Sequence, residues 1–410
     1  MRVVVVGGGA VGVTAAYFLS RRGADVTLFE ADELGQGASF GNAGLLVPSY
    51  STPLATIGNA LEGVRSLLGR PSAVDVKIWP NLETLAWIAR FLVSTRASTA
   101  SRGLSALAAF TVRSVRLYDE LLSGAPADIA YSQSGTLYVS RTEASLAAGV
   151  GLAIRLKHLG IASVVMNRAE ARARETTLSS SIAGAVFYPD DARLQPLNFT
   201  RRMAELARAQ GVQFRGDRVA GFVHDARLVT GVRTATERVL ADRVVIATGS
   251  SSPALARSLR LRVPILPAKG YSFDLRLADS PQTSMLFAER HVSATPLNGL
   301  TRATTGLDFH GFDNRVSAKR VALIHAAYNE YLDSPRILEQ GPVWAGFRPL
   351  TPDGLPIVGP SSRIGNLIFA TGHGPLGITL APATAEAVTD AILGGPQAID
   401  SAILPARFGI

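Results

Sequence analysis

Gly7-Gly8-Gly9-Ala10-Val11-Gly12 fits G-x-G-x-x-G, and an acid, Glu30, stands about twenty residues beyond it. Gly7 permits a tight turn, Gly9 lets the backbone come close to a pyrophosphate, and Gly12 lets a helix pack closely on a strand. The unpaired N–H groups and positive dipole end of that helix suit phosphate. Glu30 can accept hydrogen bonds from both ribose hydroxyls and would repel a 2′-phosphate. Together these residues specify dinucleotide binding. Other chemistries are excluded by what the chain lacks. It has no cysteine, which removes disulfides, thiolate metal sites, cysteine nucleophiles and a cysteinyl link to a cofactor. It shows no Ser/His/Asp arrangement, zinc spacing or P-loop. Asp190-Asp191 and Asp32-Glu33 are isolated acidic pairs and read as turn and surface residues.

The elements that must position this set are legible around it. Val3 to Val6 is a continuous β-branched run, as expected of a buried parallel strand. Val13 to Arg22 has a helical period, with Gly23 closing it, and Ala24 to Phe29 is a second strand that delivers Glu30. Gly35 to Pro48 is a glycine-rich loop with Ser39 and Asn42 as its polar groups, slim enough to wrap a cofactor. Strands are expected at Thr136–Ser140, Ala183–Tyr188, Val219–Val223, Leu228–Arg233, Val239–Ala241 and within Val263–Leu275, and helices at Pro196–Gln210 and Val316–Leu332. Arg243 to Gly249 is another buried strand ending in a small-residue turn, so the nucleotide sheet is assembled from separated segments. Leu367 to Ala370 is a further strand, Thr371 to Gly377 a glycine turn and Ile378 to Leu393 a helix.

At 410 residues, 47% hydrophobic and 18% charged, the chain is too long for one ordinary core and too apolar for disorder, so two domains are expected. The net charge of +9 comes almost wholly from arginine, lysine being confined to Lys77, Lys157, Lys269 and Lys319. The arginines are dispersed and no run alternates them with exposed aromatics, which argues against nucleic acid and leaves a lean toward acidic substrates or a membrane surface. The chain opens on its first strand, without room for a signal peptide, and no stretch approaches eighteen uninterrupted apolar residues. A cytoplasmic protein, soluble or peripherally attached to a membrane, is the expectation; the oligomeric state is not specified. Trp79-Pro80-Asn81 reads as a helix start, followed by Leu82, Leu85, Ile88, Ala89 and Leu92 at helical spacing with Trp87 and Phe91 beside them. Core packing is the expectation for that stripe, and a partner or membrane surface the alternative.

With GGGAVG and Glu30, GASFGNAG, VVIATGS, PAKGYSFDL, GFRPLTPDGLPIVG and FATGHGPLGITLAPATAEAVTDAILG in order, the chain resembles the D-amino acid oxidase superfamily of FAD flavoproteins, closest to its D-amino acid dehydrogenase branch. The family often carries an acid soon after the glycine near position 306, whereas this chain reads Gly306-Leu307-Asp308. The resemblance implies a mixed α/β fold: a discontinuous Rossmann-type FAD-binding domain (1–48, 194–250 and 341–410) and a substrate domain on a mostly antiparallel sheet with helices (49–193 and 251–340). It implies non-covalent FAD. Gly7, Gly9, Ala10, Val11, Gly12, Glu30 and Ala31 would hold the ADP half, and Ser39, Asn42, Ala43, Gly44 and Leu45 the diphosphate and ribityl region. Val219, Ala247, Thr248 and Gly249 would hold the far side, and Gly346, Gly372, His373, Gly374, Leu376, Gly377, Ile378 and Thr379 would line the flavin ring. A helix beginning near Gly377 would aim its dipole at the pyrimidine edge. Arg348 would clamp the substrate carboxylate, Tyr271 would give it a second hydrogen bond, and His373 would sit at the flavin, positioning more than titrating. The implied reaction is oxidative deamination of a D-amino acid to a 2-oxo acid and ammonia, with a quinone or dye as acceptor. The alternatives are an oxygen-using D-amino acid, glycine or sarcosine oxidase, a D-proline or hydroxyproline dehydrogenase, or a non-catalytic FAD subunit. No metal is implied.

Overall fold

A computed structural model describes residues 1–67, 74–77, 81–396 and 398–410. The helix-start residues Trp79 and Pro80 lie outside them. The strand Arg2–Val6 buries every residue after Arg2. It lies inside a six-stranded sheet ordered Ile357–Pro360, Leu367–Thr371, Arg243–Ile246, Arg2–Val6, Asp25–Phe29, Gln213–Arg215. All pairings are parallel except that of Ile357–Pro360 with Leu367–Thr371. Both faces are covered, which is why the strand is a run of valines and not an alternation. Val3 and Val5 join the core under the helices Ala10–Arg21, Pro196–Ala209 and Ala381–Leu393. Val4 and Val6 join a second core with Phe222, Val229 and Val232 of a three-stranded antiparallel sheet, Gly221–Asp225, Leu228–Arg233 and Arg238–Leu240.

The second large sheet has ten strands and is mostly antiparallel. Its long members, Leu266–Leu277 and Leu300–Phe309, pair with one another, and the helix Ala318–Tyr331 packs Ile324, Ala327, Tyr328 and Tyr331 on its apolar face against Phe273, Leu275 and Phe287. Trp344–Leu350 pairs along Leu266–Leu277, with Arg348 opposite Ala268 and Gly346 opposite Gly270, so this part of the 341–410 segment belongs to the ten-stranded sheet. The facing glycines leave room above the pair, and that room holds Trp344 and Arg348: a Cβ at Gly346 would strike the Trp344 ring, and one at Gly270 would lie 2.6 Å from the Arg348 guanidinium carbon. Leu45–Leu46 and Ala192–Arg193 form a small two-stranded link.

Two local expectations change. The last helix spans Ala381–Leu393, starting four residues beyond Gly377, with Pro382 in its first turn. Gly374–Leu376 is a separate 3-10 turn, so no long helix dipole begins at Gly377. Proline, lacking an N–H, fits only the first turn of a helix and so fixes where this one begins. The helix Leu82–Ser94 begins where Asn81 accepts a bond from the Thr84 N–H (2.8 Å). Its stripe, however, faces outward: Leu82, Leu85, Leu92 and Val93 are exposed by half or more, and Trp87 and Thr84 are the buried residues. Trp87 packs with Ala268 and Leu350, donates Nε1–H to the Leu350 carbonyl (3.2 Å) and stacks on Phe91. One inward indole suffices to hold the helix, and the apolar stripe is left to solvent. The helix Ile57–Leu67 likewise exposes Ile57, Leu61 and Val64. Among the described residues no helix is long and apolar enough to cross a membrane.

Candidate active site

A cavity of about 1350 Å³ is lined from both large sheets. It exceeds the roughly 300–1,000 Å³ of an ordinary small-molecule site, as a dinucleotide together with a substrate requires. At one end stands the glycine turn. Gly7 adopts φ +114°, and a Cβ there would meet the Ala247 carbonyl. A Cβ on Gly12 would strike the Gly7 carbonyl oxygen, so helix and strand approach as closely as the motif demands. Gly9 enters the helix Ala10–Arg21 in extended conformation without a side-chain cap, and Gly9, Ala10 and Val11 line the cavity. The Ala10 N–H donates to Ser39 Oγ at 3.0 Å. Glu30 also lines the wall, its carboxylate accepting from the Gly8 N–H (2.6 Å) and the Asp32 N–H (3.0 Å). A helix N-terminus facing the cavity, a backbone cradle closed to Cβ atoms and an acid at the end of the adjacent strand are the groups a pyrophosphate and ribose need.

Further along, Ala31, Ser39, Asn42, Ala43, Leu45, Val219, Ala247, Thr248, Gly249, Gly346, Arg348, His373, Gly374, Leu376, Gly377, Ile378 and Thr379 all line the same cavity. Gly12, Gly44 and Gly372 do not, and each serves the backbone. Gly44 (φ +75°) and Gly372 (φ +74°) take a conformation that favours glycine. Asn42 is a strut: its Nδ2 donates to the Pro375 carbonyl (3.1 Å) and its Oδ1 accepts from the Gly44 N–H (2.9 Å). Thr379 Oγ1 donates to the Leu45 carbonyl (3.0 Å), tying the loop to the turn again.

Arg348 donates to the Gly306 carbonyl, lines the cavity and, among the described residues, forms no ion pair. Burial lowers its pKa. Asp353, an acid of the same motif, pairs instead with Arg407 (2.7 Å). Tyr271 does not line the cavity: it is 1% exposed, and its hydroxyl donates to Asp308 (2.8 Å), itself paired with Arg320. Alternation along the strand explains this, since Gly270 faces the cavity and its neighbour must face the other way. The phenol in Arg348's neighbourhood is Tyr50, which lies between the glycine-rich loop ending at Pro48 and the helical region from Pro53 and was not singled out in the sequence. Burial raises the Tyr50 pKa, and the positive charge of Arg348 opposes that rise. His373 is enclosed, its Nε2 bonded to Thr384 Oγ1 (2.9 Å), and burial pushes its pKa down to about 3. It is therefore held neutral near pH 7. Asp75, Asp308 and His310 are the one group, among the described residues, with donor atoms clustered as for a metal, but Asp308 is already bonded to Arg320 and Tyr271.

Fold and cavity define a class: a six-stranded, mostly parallel sheet and a ten-stranded, mostly antiparallel one share a cavity with the donor set of a dinucleotide site. A model of the FAD dependent oxidoreductase family (DAO) matches residues 2–391, and the chain belongs to that family. It is 35% identical over 406 residues to the D-amino acid dehydrogenase of Methylobacterium sp. (strain 4-46), covering 96% of each chain. It is 33% identical to that of Methylobacterium nodulans, over 100% of this chain and 99% of the relative. Among solved structures, glycine oxidase from Geobacillus kaustophilus superposes with a TM-score of 0.75 at 23% identity, over 97% of this chain and 96% of that one. L-proline dehydrogenase from P. horikoshii does so at 0.77 and 19%, over 100% and 96%. These two likenesses establish the fold.

Proposed function

We propose that the protein is an FAD-dependent D-amino acid dehydrogenase, the activity named for its 33–35% identical full-length relatives. The observation that carries this reading is Arg348: an enclosed cation without an ion-pair partner among the described residues, in the same cavity as a dinucleotide cradle. Such a group selects a carboxylate, and its planar fork can hold one bidentately. When bound, FAD supplies the acceptor for a hydride from the α-carbon, the amine losing a proton to give an imino acid that water converts to a 2-oxo acid and ammonia. The chain's own residues bind and orient. Glu30 would take the ribose, the open turn at Gly9 to Val11 the pyrophosphate, and Ala247 to Gly249 with Val219 the opposite wall. Gly346 and the 373–379 turn would flank the flavin ring, and FAD would be held without a covalent bond. Residues 1–48, 194–250 and 341–410 are read as the FAD unit, with Trp344–Leu350 lent to the substrate sheet.

For the acceptor, the outward stripes of Ile57–Leu67 and Leu82–Ser94 favour a membrane-dissolved quinone. Leu54 and Thr56, just before the first of these helices, and Asn59 within it line the cavity, so the stripe borders its mouth. Exposed Lys77, Arg90 and Arg96 flank it and suit an anionic lipid surface on the inner face of the cytoplasmic membrane. An oxygen-using oxidase is the competing reading. The deciding experiment is anaerobic mixing of the yellow protein with D- and L-amino acids, followed by air or a quinone. Bleaching by D-amino acids and reoxidation by quinone are expected; bleaching by neither enantiomer, or peroxide formed at the turnover rate in air, overturns the proposal.

A further inference from the structure

We propose that Asp191 is a positioning residue for the substrate-carboxylate end of the site: it pins the turn Pro48–Tyr50 and thereby holds the Tyr50 phenol in the cavity wall opposite the Arg348 clamp. The inference rests on the reading that Arg348 receives the carboxylate. In the sequence Asp191 looks like half of a surface turn, yet it is fully buried. Its carboxylate accepts from the Ser49 N–H (3.2 Å) and from Ser49 Oγ (2.5 Å). Its carbonyl accepts from the Gly135 N–H (3.0 Å), which fixes it to the strand Thr136–Ser140. The next two residues, Ala192–Arg193, pair with Leu45–Leu46. The stretch from Leu45 to Tyr50 is thus held at both ends by three consecutive residues.

Ser49 and Tyr50 are neighbours on one tight turn, and both line the cavity. Ser51 closes the turn from behind through Thr111 Oγ1 (2.8 Å). The groups facing Asp191 are the hydroxyls of Ser49 and Thr136, the phenols of Tyr138 and Tyr188, and the carboxylate of Asp190; Tyr50 lies one step further, next to Tyr138. Among the described residues no cation faces it. Burial therefore outweighs the bonds from Ser49 and pushes the carboxyl up to about 7. The ionised form accepts both bonds from Ser49; the protonated form must give up or reverse one of them. Tyr50 is then held firmly above that pH and loosely below it.

The test compares Asp191→Asn, Ser49→Ala, Tyr50→Phe and the pair Asp191→Asn with Tyr50→Phe in the FAD-loaded protein. Benzoate, an unreactive carboxylate, is titrated by the flavin absorbance change, alongside flavin content, melting temperature, KM and kcat at pH values on both sides of 7. Asp191→Asn should weaken benzoate on the order of tenfold and raise KM similarly with little change in kcat. It should also remove a rise in carboxylate affinity that the parent shows as pH increases through about 7. Added to Tyr50→Phe it should cause no further loss, because both act on one contact. Parental benzoate affinity in Asp191→Asn, or losses that multiply in the pair, would overturn the proposal. If Asp191→Asn does not fold, Ser49→Ala decides, since it removes the link and leaves the buried acid; parental affinity there overturns it equally. A parent that binds no benzoate would instead remove the carboxylate clamp on which the proposed function stands.

Discussion

Replacing Arg348 by alanine separates a clamp for substrate from a strut of the fold. The guanidinium is enclosed, bonded to one carbonyl and without an ion pair among the described residues, so burial acts on it as desolvation and lowers its pKa. A base whose charged form is disfavoured in the fold subtracts from stability while ionised. Its removal should leave the melting temperature at or above that of the parent. Substrate binding should move the other way. Two parallel N–H bonds to a carboxylate are lost, and the carboxylate is left desolvated and unpaired, a loss of about 3–5 kcal/mol. At 1.4 kcal/mol per factor of ten, this is a fall of roughly 10² to several times 10³ in kcat/KM for a D-amino acid. Arg348→Lys should recover only part, because an ammonium is a point charge without the paired geometry. The assay is anaerobic rapid mixing with flavin content and melting measured on the same preparations. An amine lacking the carboxylate should be oxidised poorly and about equally by parent and variant. An alanine variant that reduces at the parental rate, or that sheds flavin or melts well below the parent, refutes the reasoning and makes Arg348 structural.

Glu30→Ala should weaken retention of FAD by about 1–3 kcal/mol, and acid precipitation of the parent should release all flavin to the supernatant; unchanged affinity would confine the acid to bracing the glycine turn through the Gly8 N–H. His373, with its pKa pushed down to about 3 against an ordinary 6.5, is neutral in the fold, so its contribution is complete above 6.5 and is lost as pH falls toward 3. His373→Gln should flatten that acid-side loss of melting temperature and leave the pH profile of turnover between about 6 and 9 unchanged; a limb of the profile vanishing would make it an acid or base. Leu85→Glu with Leu92→Glu should abolish sedimentation with anionic vesicles and slow quinone reduction, while dye-linked turnover stays parental; unchanged sedimentation would remove the membrane from the scheme.

What the sequence disclosed follows from which interactions are local. The glycine turn, its strands and Glu30 lie within thirty residues and are constrained by backbone geometry, so their types and spacing are nearly sufficient. Tyr271 was misplaced by a single step of strand alternation, because which face of Leu266–Leu277 meets the cavity is decided by its pairing with Trp344–Leu350, about eighty residues away in the chain. Asp191 was misread for the same reason: its partner Ser49 comes from a distant loop. The stripe on Leu82–Ser94 was taken for core because periodicity shows that a helix has an apolar face but not what covers it.

Oxidation of a bound amino acid requires the clamp and the cofactor to be held in register, since a displacement of about 1 Å can cost on the order of a hundredfold in rate. The chain meets this requirement although Arg348 lies on the ten-stranded sheet and the 373–379 turn follows a strand of the six-stranded one. Leu350, two residues after Arg348, forms a β-bridge to His373, and Trp87 locks the same residue from outside through its carbonyl. His373 is anchored in turn to Thr384 on the last helix. The proposed clamp is therefore referenced by backbone to the turn proposed to face the flavin, within a few residues. Asn42 and Thr379 tie the opposite loop to that turn in the same manner. A buried neutral histidine suits this place: a charged one would need a counter-ion close to the cation proposed to receive the substrate carboxylate.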